Sequence, residues 1–359
     1  MNHRNKINIT IKKRRMTLVV ILLFVSFSLM SENLQKVVNL EGTWKFTVGD
    51  DPQWAKPEFN DYNWENVYAP RTWESNGFEE YNGFAWYRKT FRFNSSSLDV
   101  SLFLVLGIID DVDEVYFNGH LIGSSGQFPP TVITTYDLKR KYHIPKELIN
   151  LNGDNTIAVR VYDEYADGGI YQGPLGIFYD EDNELLSYNL SGYWDFETKT
   201  KQNNISRIYG VEVGKIFVPG YWELYGYNDI KGSAVYSKSF MLPSDFNSED
   251  LMLVLGYVDD MEIVYFNDEL IGKTDDLKNA GNRNIHESDL LSAYEIPSNV
   301  LIKGGSNEIV IKVFDTGGYG GIYEGPVGLI TKRNFQSLKK RQAPKSNSIW
   351  DEIYNSIFD

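Results

Sequence analysis

The amino-acid sequence predicts an all-β protein, two tandem jelly-roll β-sandwiches followed by a short C-terminal helix. Three observations lead there. The stretch Leu102–Gly123, LFLVLGIIDDVDEVYFNGHLIG, returns 149 residues later as LMLVLGYVDDMEIVYFNDELIG, and the copies agree at 14 of 22 positions. Each copy reads as an apolar strand, a Gly, an Asp-Asp pair, a second strand and a tight hairpin. Asn118-Gly119 is a strong hairpin signal, because both residues tolerate positive φ. Elsewhere the chain alternates strand-like segments with turn signals and has almost no helical periodicity. At 359 residues it suits two domains of about 150 residues, each large enough to fold without metals or disulfides.

Taken in order, the chain opens with six cations (Arg4, Lys6, Lys12, Lys13, Arg14, Arg15) before the apolar run Leu18 to Phe24. This run is short for a membrane span and fits a signal peptide over residues 1–31, cleaved after Ser28 or Ser31. An uncleaved anchor is the alternative. The first unit, 37–180, begins with a strand in which Leu40, Trp44 and Phe46 alternate. A loop-rich stretch carries Pro70-Arg-Thr-Trp73-Glu74, and strands return at Ala85–Phe91. The central hairpin follows, then Asn155–Tyr162, where Ile157, Val159 and Val161 face one way. The unit closes on Asp167-Gly-Gly-Ile-Tyr-Gln-Gly-Pro-Leu-Gly176. The second unit, 187–333, repeats this order, and Gly320–Gly328 differs from Gly168–Gly176 at two of nine positions. Residues 334–359 read as a basic linker and a short amphipathic helix from Ser348, with Ile349, Trp350, Ile353, Tyr354, Ile357 and Phe358 on one face. That segment is either a docked helix or a tail that binds a partner.

The net charge is −14, and without the six N-terminal cations it becomes −20. Such a surface repels phosphate backbones and anionic lipids, so nucleic acid is excluded as a partner while a neutral oligo- or polysaccharide is not. With no Cys, a disulfide framework and a lipidated N-terminal cysteine are both excluded. The 24 Tyr suit sandwich cores and sugar recognition alike.

Asn60-Asp61 and Trp64, then Pro70-x-x-Trp73, Trp86-Tyr-Arg-Lys-Thr-Phe91 and Val115-Tyr-Phe-Asn-Gly119, resemble the sugar-binding, galactose-binding-like jelly-roll domain of family 2 glycoside hydrolases. Gly168-Gly-Ile-Tyr171 with Gly173-Pro174 is similar to the variant found beside sialate O-acetylesterases. The resemblance covers all of the first unit. The second lacks the Asn-Asp…Trp motif and has Ser237 where the first has Arg88. It implies an exported carbohydrate-binding module, with no catalytic residues of its own, that works on the cell surface, in the periplasm or in the medium. A hydrolase accessory component, with a glycoside hydrolase or esterase partner held through the C-terminal segment, is one alternative. A structural docking module is another.

The chemistry-bearing residues fall in three places, each present twice. Asp110-Asp111 and Asp259-Asp260 either hold a ligand or a calcium ion with loop oxygens, or bond local backbone N–H groups and, in the first unit, Arg88. Neighbours on a strand point to opposite faces, so neither pair is expected to flank a glycosidic bond. Tyr171 and Tyr323, set among glycines, either stack on a sugar ring or pack inward. Trp73-Glu74 and Trp222-Glu223 set a Glu toward the cleft beside a Trp that either joins it there or belongs to the core. No cofactor is expected, and no nucleophile elbow, phosphate loop or His-rich metal spacing occurs. The ligand site is expected where the three places converge in the first unit.

Overall fold

The structure is a computed structural model and describes residues 33–342 apart from 95–98, 200–206, 211, 229, 231 and 276–289. The N-terminal segment 1–31 and the apolar stripe from Ser348 lie outside the described residues. Among the described residues, twenty-two strands form four antiparallel sheets. The first eleven are β1 Leu34–Asn39, β2 Gly42–Val48, β3 Glu65–Ala69, β4 Gly83–Phe91, β5 Leu102–Asp110, β6 Val112–Phe117, β7 His120–Ser125, β8 Lys139–Ile144, β9 Asn155–Asp163, β10 Gly169–Gln172 and β11 Gly176–Asp180. The next eleven are β12 Tyr188–Asn189, β13 Gly192–Thr198, β14 Lys215–Val218, β15 Gly232–Met241, β16 Leu251–Val258, β17 Met261–Phe266, β18 Glu269–Lys273, β19 Leu291–Glu295, β20 Ser306–Asp315, β21 Ile322–Glu324 and β22 Gly328–Thr331.

In the first sandwich one sheet runs β3-β2-β4-β9-β6-β7; in the other, β5 pairs with β11, β8 and β10, and β1 flanks β11. The second sandwich repeats both arrangements strand for strand, as β14-β13-β15-β20-β17-β18 and as β16 with β22, β19 and β21. Alternation places the core. Along β20, Asn307, Ile309, Ile311, Val313 and Asp315 are buried while Ser306, Glu308 and Lys312 are exposed. Both hairpins make the tight turn their sequences require, with positive φ at Asn118 (49°) and Gly119 (82°) and at Asn267 (46°) and Asp268 (65°).

Gly123-Ser-Ser-Gly126 looks like a turn, yet Gly123–Ser125 continues β7. Gly123 is needed because the Tyr142 ring lies on it; a Cβ there would sit 2.1 Å from Tyr142 Cδ1. Gly272 meets Tyr294 in the same way, at 2.0 Å.

One apolar cluster runs through both sandwiches. Where they meet, the His143 ring of β8 stacks on Phe217 of β14, and Phe103 of β5 meets Phe217 edge-on. Tyr209 N–H donates to Leu121 O at 2.7 Å, and Arg207 pairs with buried Glu114 at 2.6 Å. The segment read as a basic linker is instead a helix, α1, over Lys332–Gln342. It buries Leu338 against Met252, Val254, Ala293 and Ile330.

Candidate functional site

The convergence expected in the first unit is present. Gly169 of β10 pairs with Asp110 at the end of β5. Gly168 accepts from the Trp73 N–H at 3.1 Å and donates to Glu74 Oε2 at 3.1 Å. Trp73 takes the core alternative: it is 0% exposed, its indole N–H donates to Tyr81 O at 3.1 Å, and it lies against Phe46 and Tyr81. Gly168 rests on this ring, where a Cβ would come within 2.3 Å of it. The tryptophan therefore forms the floor of the site, and a sugar cannot stack on it. Glu74, half-buried, faces a cleft of about 370 Å³ lined also by Glu80, Asn82, Ala166 and Asp167. Its Oε1 is buried with no hydrogen-bond partner among the described residues, and burial pushes its pKa up.

The aspartates depart from the strand picture. Asp110 ends β5 in one sheet, while Asp111 lies in the crossing to β6 in the other. Alternation stops at that crossing, so the two side chains converge. One oxygen from each, with one from Asp163, lie within 4.8 Å of one another. Burial raises Asp110 to about 8, helped by Asp111 and Asp163; burial and then the Asp111 charge raise Asp163 to about 7. Asp111 accepts from Glu164 N–H at 3.1 Å and from the Thr134 hydroxyl.

Arg88, the partner foreseen for this pair, is elsewhere. It pairs with Asp61 at 2.9 Å and donates to the Trp54 and Lys56 carbonyls, which anchors the loop between β2 and β3. The guanidinium beside the aspartates belongs to Arg140. Fully buried, it pairs with Asp113 at 2.8 Å and donates to the carbonyls of Asp111, Thr135 and Leu138, so it fixes the loop before β8. Tyr171 is half-buried and donates to Tyr136 O at 3.2 Å. The second sandwich completes this rim, where Tyr319 OH donates to Asp137 Oδ1 at 2.5 Å.

The second unit has the same parts in a closed arrangement. Trp222 is fully buried and Glu223 is 3% exposed. Glu223 accepts from Gly320 N–H at 3.3 Å, and burial raises its pKa well above the ordinary value. The 3-10 turn Trp222–Tyr225 packs against β7 of the first sandwich, and Asn228 donates to Gly126 O at 3.2 Å. Tyr323 lies flat on Tyr221, ring centroids 4.9 Å apart. Asp259 and Asp260 converge with Asp315; Asp260 accepts from Thr316 N–H at 2.7 Å, and Asp259 is raised to about 7 by burial and the Asp260 charge.

Sequence reasoning missed Asp163, Asp315, Glu80, Asn82, Arg140 and Tyr319. A signal existed for two of them. The alternation Ile157, Val159, Val161 runs on to Asp163, and Ile309, Ile311, Val313 runs on to Asp315, so an acid recurs on the inward face of both copies.

Residues 49–166 match the family model of the beta-galactosidase second all-beta domain. This is an accessory domain, and the match does not reach a catalytic one. A Formosa agariphila protein described as a beta-glucuronidase is 28% identical over an alignment of 137 positions that covers 34% of this chain and 12% of that protein. Among solved structures, a Bacteroides uniformis beta-glucuronidase aligns with 79% of this chain and 28% of its own at 15% identity and a TM-score of 0.36. A Ruminococcus gnavus beta-glucuronidase aligns with 80% of this chain and 44% of its own at 13% identity and a TM-score of 0.35.

Proposed function

With residues 49–166 matching the family model of the beta-galactosidase second all-beta domain, we propose that the chain is a non-catalytic carbohydrate-binding protein, exported from the cell, whose working site is the cleft of the first sandwich. The observation that carries this reading is the contrast between the two copies. Glu74 borders an open cleft with Glu80, Asn82 and Asp167, whereas Glu223 is buried. Carboxylates and an amide at the mouth of a cleft accept and donate to sugar hydroxyls. Tyr165, 73% exposed and next to the cleft residue Ala166, offers a flat face to the CH side of a pyranose. The N-terminal cations and apolar run support export.

Stacking and a few hydrogen bonds give micromolar to millimolar affinity, about −4 to −8 kcal/mol. A glycan array followed by calorimetry on the intact protein tests it. Glu74→Gln and Tyr165→Ala should each weaken binding about tenfold, roughly 1.4 kcal/mol, with Tm unchanged, and Glu223→Gln should leave it intact. Equal loss from Glu223→Gln would place the site elsewhere. A second reading, an accessory component of a glycoside hydrolase or carbohydrate esterase, is favoured by the matched domain being an accessory one. Turnover of nitrophenyl glycosides or acetates by the isolated chain would overturn the non-catalytic reading.

A further inference from the structure

We propose that Asp110, Asp111 and Asp163 bind a calcium ion at the crossing from β5 to β6, independently of any sugar. Calcium holds carboxylate oxygens at about 2.3–2.6 Å, so oxygens sharing one ion lie up to about 5 Å apart. The three carboxylates meet that condition, with ligand atoms all within 4.8 Å of one another. Crowding of acids alone would not point to an ion. The second observation is Asp163 itself. It is 0% exposed, its Oδ1 accepts from Tyr165 N–H at 3.3 Å, and its buried Oδ2 has no hydrogen-bond partner among the described residues. A buried carboxylate oxygen left without a partner costs several kcal/mol unless a cation or a donor meets it.

The protein's own cation does not meet it. The Arg140 donors go to Asp113 Oδ1, to the Thr135 hydroxyl and to three backbone carbonyls. Asp111 accepts one hydrogen bond on each oxygen, which orients the carboxylate and leaves lone pairs for a metal. The donor set is all oxygen, with no His or Cys, which suits a hard cation rather than zinc or copper. Calcium fits better than magnesium because it tolerates irregular geometry and sheds water readily. The same triple recurs at Asp259, Asp260 and Asp315, so the experiment must count equivalents.

The full chain, stripped with EGTA and dialysed, is titrated with calcium chloride by calorimetry and melted with and without the metal. Calcium should raise Tm, magnesium much less, and Asp163→Asn should bind one equivalent fewer than the wild type. In metal-free buffer Asp163→Asn should melt no lower than the wild type, because it relieves the crowding of acids; this separates a lost site from a lost fold. No calcium binding by the wild type at millimolar concentration, or an unchanged stoichiometry in Asp163→Asn, would overturn the proposal.

Discussion

Acidification should weaken the joint between the sandwiches through a single imidazole. His143 stacks on Phe217 with centroids 4.0 Å apart and planes at 18°, and meets Phe103 and Tyr193 edge-on. Its Nδ1 is buried without a hydrogen-bond partner among the described residues. Burial among these rings holds its pKa at about 4, below the ordinary 6.5. Between those values the unfolded chain takes up a proton that the folded chain refuses. The neutral imidazole therefore contributes its full stability above pH 6.5, and that contribution is lost as pH falls through 6.5 toward 4. At 1.36 kcal/mol per pH unit the loss reaches about 3 kcal/mol by pH 4, roughly 5–10 °C in Tm for a body of this size. Carboxylates titrate over the same range, so the measurement is a comparison. Melting curves of wild type and His143→Phe from pH 7 to pH 4 isolate the imidazole, since phenylalanine keeps the stack and cannot ionise. Wild type should lose several degrees more than the variant, and parallel loss in both would refute the argument.

Two further outcomes follow from packing. Gly123→Ala drives a methyl into the Tyr142 ring and should cost about 1–3 kcal/mol, read as a lower urea midpoint at unchanged slope. Arg140→Met leaves Asp113 buried without its cation and should cost about 3–5 kcal/mol; the double variant with Asp113→Asn should recover part of it, which urea titration of all three proteins would show.

The strands were legible because their cause is local. Alternation, Asn-Gly turns and a 14-of-22 repeat need no knowledge of distant residues, and all-β architecture follows from them. What stayed hidden depends on contacts across the fold. Trp73 and Trp222 were open between cleft and core because tryptophan beside a glutamate in a loop carries no sign of which way it turns; Gly168 and Gly320, some ninety residues on, settle them inward. The apparent opposition of Asp110 and Asp111 assumed one continuous strand, and the chain changes sheets between them. Helix α1 reads as a linker because its charged residues mask Phe335 and Leu338, the two positions that dock it. Tyr319 could not be assigned to the first unit's rim without knowing how the second packs on it.

The turn Trp222–Tyr225, which packs against β7, gives the internal duplication an evolutionary sense. The loop that borders an open cleft in the first copy is, in the second, an adhesive contact between the halves. Tyr225, buried, stands where the first copy has Asn76, a large ring in place of an amide. The two halves thereby share one apolar interior. Neither is an exchangeable cassette, and a recombinant half cut at the boundary would carry a sticky face into solution.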